Sequence, residues 1–119
     1  MKVLVIEDNP DITEVLDYIL KDDGHEVISC PDGISLNSLD IIKPDIILMD
    51  DILSTTTTRG SEFCRLLKSD DDTKNIPVIL ISARPSLQDT ARKCGADTYI
   101  EKPFDIDHLV NVIKLFAKT

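Results

Sequence analysis

The stretch "VLVIEDNPDITEVLDYIL", residues 3–20, decides how the rest of the chain is read. Val3 to Ile6 is an unbroken apolar run with two β-branched valines, the pattern of a strand buried on both faces. Asn9 then supplies a helix N-cap, and Pro10 suits the first helical position, where its missing N–H has no intrahelical partner to lose. Ile12, Val15, Leu16, Ile19 and Leu20 recur at helical spacing, and Gly24 closes the helix as a C-terminal cap. A two-face-buried strand running into an amphipathic helix is the repeating unit of a parallel α/β sheet.

The unit recurs along the chain. His25 to Cys30 reads as a second strand, residues 31–33 as a turn, and residues 34–42 as a weaker helix with Leu36, Leu39 and Ile42 on one side. Pro44 ends that helix, because the residue before a proline avoids helical backbone. Ile46 to Met49 is a third strand, and Phe63, Leu66 and Leu67 mark a third helix. Pro77 opens a fourth strand, "VILIS", and a fourth helix over 86–94 ends at Gly95. Residues 98–101 form a fifth strand. Asp105 caps a last helix carrying Ile106, Leu109, Val110, Ile113 and Phe116, with Phe104 and Leu109 at hydrophobic-staple positions. The expectation is a doubly wound (βα)5 domain over residues 1–119, its parallel sheet covered by helices on both faces, with no effector domain visible.

Composition limits what such a domain does. Acids outnumber Lys and Arg by 22 to 13, and a formal charge of -9 repels nucleic-acid backbones and anionic membranes alike. No apolar stretch approaches the roughly 18–20 residues that span a bilayer, and the opening run is too short for a secretory signal, so a cytoplasmic protein is expected. Cys30, Cys64 and Cys94 form no CxxC pair and read as reduced, partly buried thiols. His25 and His108 read as solvated or capping residues, and Asp70 to Asp72 as an exposed turn.

Ligands of doubly wound sheets bind beyond the carboxyl ends of the strands. Glu7 and Asp8 follow strand one, Asp50 and Asp51 strand three, Ser82 stands at strand four, and Lys102 follows strand five. Any one of these alone is ordinary surface; acids, a hydroxyl and an ammonium converging on one sheet edge are not. Two carboxylates about 5 Å apart repel by about 3 kcal/mol at an effective dielectric of about 20. Such a group therefore raises a carboxyl pKa or holds a cation, and oxygen-only ligands suit Mg²⁺. Lys102 would offset the charge when the site is empty, and Ser82 would donate to a phosphoryl group. Strand alternation does not say which of Asp50 and Asp51 faces this edge.

Four segments, "VLVIEDNPD" at 3–11, "KPDIILMD" at 43–50, "VILISA" at 78–83 and "YIEKPF" at 99–104, make the chain resemble the receiver domains of two-component response regulators. The resemblance implies the flavodoxin-like strand order 2-1-3-4-5. It makes Asp50 the phosphoacceptor, with Ser82 and Lys102 contacting the phosphoryl group. It makes Glu7, Asp8, Asp50 and the backbone carbonyl of Ile52 the Mg²⁺ ligands, and Ser82 with Tyr99 the switch residues. It further implies a cis Lys102–Pro103 bond and a phosphoryl donor that is a sensor histidine kinase or phosphotransfer protein. A downstream protein target, and a dimer through the last two helices and strand five, are also compatible with it. Only this resemblance favours Asp50 over Asp51.

The chain departs from the family after the acceptor. Ser54 stands where a proline is common, Thr55 to Thr58 follow, and Gly60 comes ten residues past Asp50, so this loop is longer than the usual Pro-Gly type. Ile52 and Arg84, each two residues past a site residue, are candidates for tuning the phosphoryl lifetime. Two other functions compete with a phosphorylation-controlled switch that is not itself an enzyme. A metal-dependent phosphatase of the haloacid-dehalogenase type wants Asp-x-Asp, which "MDDIL" lacks. A pseudo-receiver that docks partners without phosphorylation usually lacks the acceptor, an acid or the lysine, and here all are present.

Overall fold

A computed structural model describes residues 1–30, 39, 41–51, 60–83 and 86–116. Strands β1 (Lys2–Ile6), β2 (Glu26–Ser29), β3 (Ile46–Asp50), β4 (Val78–Ser82) and β5 (Thr98–Glu101) form one sheet in the order β2-β1-β3-β4-β5. Every neighbouring pair is parallel, with Val3 opposite Ile46, Ile47 opposite Val78 and Ile79 opposite Thr98. Four helices are described: α1 (Pro10–Asp22), α2 (Gly60–Ser69), α3 (Leu87–Cys94) and α4 (Ile106–Lys114). Of the helix expected over 34–42, Leu39, Ile41 and Ile42 have helical backbone. Its remainder with Leu36, the turn at 31–33, the Thr55 to Thr58 run, Ile52, Ser54 and Arg84 lie outside the described residues.

The apolar strands divide their side chains between two cores, as the pleat requires. Val3, Val5, Ile46, Leu48, Ile79 and Ile81 pack with Leu16, Ile19 and Leu20 of α1 and Leu109, Val112 and Ile113 of α4. Leu4, Ile6, Ile47, Met49, Val78 and Leu80 pack on the opposite face with Cys64 and Leu67 of α2 and Leu87, Ala91 and Cys94 of α3. Helix ends follow the local chemistry. The Asn9 side chain accepts the Asp11 and Ile12 N–H groups at 2.9 and 3.4 Å, and Asp105 accepts that of Asp107 at 3.0 Å. Gly95 ends α3 in the left-handed region at φ 82°, a conformation that a Cβ disfavours.

Several sequence expectations need correction. Val15, Leu66 and Ile106 are about half exposed, at 47%, 53% and 53%, so the apolar stripes are narrower than the hydrophobic spacing suggested. In α2 the inward positions are Gly60, Cys64 and Leu67, which places the Cys64 thiol in the core. Burial, and then the neighbouring Cys94, push the Cys64 thiol well above its ordinary value, so it stays protonated. His25 lies before β2 rather than in it, and it is not solvated. Its Nδ1 is 3.2 Å from the Met1 amine, and its Nε2 is 3.1 Å from Asp23 Oδ2. Asp50 is the last residue of its strand, not the first beyond it.

Candidate functional site

The carboxyl edge of the sheet collects the charged residues one strand at a time. The turn from β1 into α1 begins with Glu7 and Asp8, and the Thr13 hydroxyl steadies it by donating to the Glu7 carbonyl at 3.2 Å and to that of Asn9 at 3.1 Å. Asp50 stands beside Ile81 in the ladder between β3 and β4, which puts it one residue short of Ser82. The Lys102 N–H donates to the Ser82 carbonyl at 2.9 Å and so continues the β4–β5 ladder past the end of β5. The Lys102–Pro103 peptide that follows is cis.

These connections deliver a compact set of charges. The Lys102 Nζ donates to Glu7 Oε1 at 2.7 Å and to Asp50 Oδ2 at 3.1 Å, bridging the carboxyl ends of the neighbouring strands β1 and β3. Glu7 is 4% and Asp50 8% exposed, while Asp8 is half-buried and its N–H donates to Glu7 Oε2 at 3.1 Å. Glu7, Asp8 and Asp50 each place a carboxylate oxygen within 4.8 Å of the others.

Negative charge exceeds positive charge there. Burial pushes the Glu7 carboxyl up to about 7, and the adjacent Asp50 carboxylate adds to the effect while Lys102 opposes it. Burial pulls the Lys102 ammonium down, but Glu7 and Asp50 together more than reverse this, so its pKa is raised. Such a donor set of oxygens, partly buried and short of positive charge, fits a small hard divalent cation, and Mg²⁺ meets that description.

The remaining candidates fall at different distances from this centre. Ser82 is 3% exposed at the end of β4. Tyr99, opposite Leu80 in β5, is half-buried against the core that includes Leu87, Ala91 and Cys94. Asp51 is turned away from solvent at 1% exposure, and its Oδ1 accepts the Ser61 N–H at 3.0 Å. Gly60 lies so close that a Cβ on it would meet the Asp50 carbonyl oxygen at 2.3 Å. Thr13 and Ser61 escape a sequence reading because their bonds to the site depend on tertiary placement. Gly60 carried the signal of a glycine at a helix start.

Known proteins give this geometry a context. The sequence matches the response regulator receiver domain over residues 3–114. It is 37% identical to the phosphate regulon transcriptional regulatory protein PhoB of Klebsiella pneumoniae, covering 95% of this chain and 50% of that protein. It is 34% identical to protein PilG of Pseudomonas aeruginosa, covering 96% of this chain and 85% of that one. The chain thus spans about half the length of the transcriptional regulators it matches. Among solved structures, it superposes with a TM-score of 0.84 and 25% identity on the receiver domain of a sensor histidine kinase from Pseudomonas aeruginosa, over 97% of this chain and 95% of that one. That structure has a magnesium ion coordinated in its active-site cleft. No described helix is long and apolar enough to cross a membrane.

Proposed function

The chain belongs to the response regulator receiver-domain family, and from that premise we propose that Asp50 accepts a phosphoryl group from a phosphohistidine. The donor would be a sensor histidine kinase or a phosphotransfer protein, and the chain would act as a switch in the cytoplasm rather than as an enzyme on a separate substrate. The observation that carries this reading is the Lys102 ammonium shared between Glu7 and Asp50 at 2.7 and 3.1 Å, beside the three-carboxylate cluster.

In this reading an Asp50 carboxylate oxygen attacks the phosphorus as the P–N bond breaks. The imidazole leaves with that electron pair, and an acyl phosphate remains on Asp50. Glu7, Asp8 and Asp50 would hold a Mg²⁺, which when bound offsets charge on the transferring phosphoryl oxygens. Lys102 already pairs with Asp50 and would follow the new phosphoryl oxygens, while the Ser82 hydroxyl would donate to them. The product carries a charge of about -2 where the carboxylate carried -1, at a mostly buried position, and this biases the segment between β4 and α3 and the Tyr99 side chain. That segment enters α3 through Ser86 at φ 63°, a left-handed conformation costly for a residue with a Cβ.

A partner must reach Asp50 from outside. Ile12, Val15, Ala83 and Phe104 line an apolar cavity of about 500 Å³ that also touches Lys102, a seat for the donor's side chains next to the acceptor. The charge of -9 favours a protein partner over a nucleic acid for this segment.

Acetyl phosphate with Mg²⁺ tests the assignment. Wild-type protein should gain one phosphoryl group that alkali and hydroxylamine release, as from an acyl phosphate, and Asp50→Asn should gain none. Full labelling of Asp50→Asn would remove the assignment.

A further inference from the structure

Asp51 has no part in the chemistry proposed above, yet it is a carboxylate at 1% exposure directly beside the acceptor. We propose that Asp51 is a positioning residue for Asp50: it caps α2 from outside the helix and clamps the Asp50–Asp51 peptide between β4 and α2. The proposal rests on the acceptor reading of Asp50 and adds to it a mechanical link from the site to α2.

Three bonds to described residues form the clamp. The Asp51 N–H donates to the Ile81 carbonyl at 3.2 Å, extending the β3–β4 ladder beyond Asp50. Its own carbonyl accepts the Gly60 N–H at 2.8 Å, and its Oδ1 accepts the Ser61 N–H at 3.0 Å. Gly60 and Ser61 are the first two residues of α2, so Asp51 satisfies two of the N–H groups that a helix start leaves without intrahelical partners. Caps of this kind usually come from the residue just before the helix. That residue is Arg59, whose side chain has donors and no acceptor. A carboxylate at a helix N-terminus also meets the positive end of the helix dipole.

Gly60 makes the contact close enough to matter. A Cβ at position 60 would lie 2.3 Å from the Asp50 carbonyl oxygen and 3.0 Å from Asp51 Cα, both backbone atoms that cannot step aside. The first turn of α2 therefore rests directly on the peptide that carries the acceptor. Asp51 and Gly60 flank residues 52–59 in the sequence, so the clamp joins the two residues on either side of that segment. If the two elements move as one, cation binding at Asp50 tightens the start of α2, and a tight start of α2 strengthens cation binding by the same factor.

Two substitutions separate the clamp from charge. Asp51→Asn and Asp51→Ala both remove the charge, but only Asn keeps an acceptor oxygen, so the gap between them reports the clamp. We expect Ser61 amide exchange at least about tenfold faster in Asp51→Ala than in Asp51→Asn, since an N-cap bond of this kind is lost. Mg²⁺ affinity, titrated directly, should be roughly fivefold weaker, equivalent to about 1 kcal/mol. Ser61→Pro removes the donor where a helix tolerates proline, and it should reproduce the Mg²⁺ loss relative to Ser61→Ala; this pair decides the matter if Asp51→Ala does not fold. Equal Mg²⁺ affinity within each pair, whatever happens to melting temperature, would overturn the clamp. If wild-type protein neither labels nor binds Mg²⁺, the acceptor reading falls and the carbon NMR shift of the Asp50 carboxyl still decides the clamp. A shift that moves between Asp51→Asn and Asp51→Ala supports it, and one that stays fixed overturns it.

Discussion

Two partly buried lysines, Lys68 at the amino end of the sheet and Lys102 at its carboxyl end, are used differently. At the amino end, Lys68 Nζ donates to the Lys74 carbonyl at 3.1 Å, to the Ile76 carbonyl at 2.7 Å and to Asp97 Oδ2 at 2.8 Å. The same Asp97 oxygen takes the Val78 N–H at 2.8 Å. One cation meets one acid and two carbonyls, and the group ties α2 to the starts of β4 and β5. At the carboxyl end, Lys102 faces Glu7 and Asp50, with Asp8 beside them. The first group is electrically complete, whereas the second is short of positive charge and so can take a cation. The difference between a brace and a site is thus the ratio of acids to lysine, not the presence of buried charge.

Three perturbations press on that contrast. Among the lysine substitutions the larger effect on stability is expected from Lys68→Met, which strands Asp97 and leaves two carbonyls without their donor. Lys68 is 16% exposed and Asp97 35%, so the loss is discounted for solvent to about 2 kcal/mol. This corresponds to a fall of roughly 6–10 °C in melting temperature. The folded variant should still label with acetyl phosphate. A variant that melts normally but fails to label would move Lys68 from brace to site.

Lys102→Met should act in the opposite sense on cation binding. In the wild type a cation competes with the ammonium for Glu7 and Asp50, so removing the ammonium should tighten Mg²⁺ several-fold and enlarge the rise in melting temperature on adding it. Weaker Mg²⁺ binding in Lys102→Met would mean that the lysine shapes the site rather than occupies it.

The third effect is one of pH, and it is spread over a wide window. Glu7 has a folded-state pKa of about 7 against an ordinary value of 4.5, so between these limits the folded chain holds a proton that the unfolded chain releases. Stability without Mg²⁺ should therefore fall as pH rises through that window, and level off above about 7. Denaturant titrations from pH 5 to 8 should show this slope in wild type and a flatter one in Glu7→Gln. Identical slopes would show that Glu7 is not the group responsible.

What was legible in the sequence follows the range of the forces involved. The sheet order followed from the motif resemblance, and the two-face-buried strands from unbroken apolar runs such as Ile46 to Met49. The caps at Asn9 and Asp105 were legible because each acts on backbone two residues away. The convergence of Glu7, Asp8, Asp50 and Lys102 was legible because a parallel sheet forces all strand ends to one edge. Asp51 was not. Its direction stays open because strand periodicity loses its phase where the strand stops, and its partner Ser61 lies ten residues along the chain. The exposure of Leu66 was missed because hydrophobicity ranks leucine above cysteine, while the helix phase is set by the surface α2 covers.

The most direct test of the central claim is to find which residue carries the phosphoryl group. After acetyl phosphate and Mg²⁺, borohydride reduction converts an aspartyl phosphate to homoserine, and peptide sequencing by mass spectrometry locates it. Phosphorylation of Asp50 predicts homoserine at position 50 with aspartate retained at 51. Homoserine at 51, or none in the peptide carrying both, would contradict it.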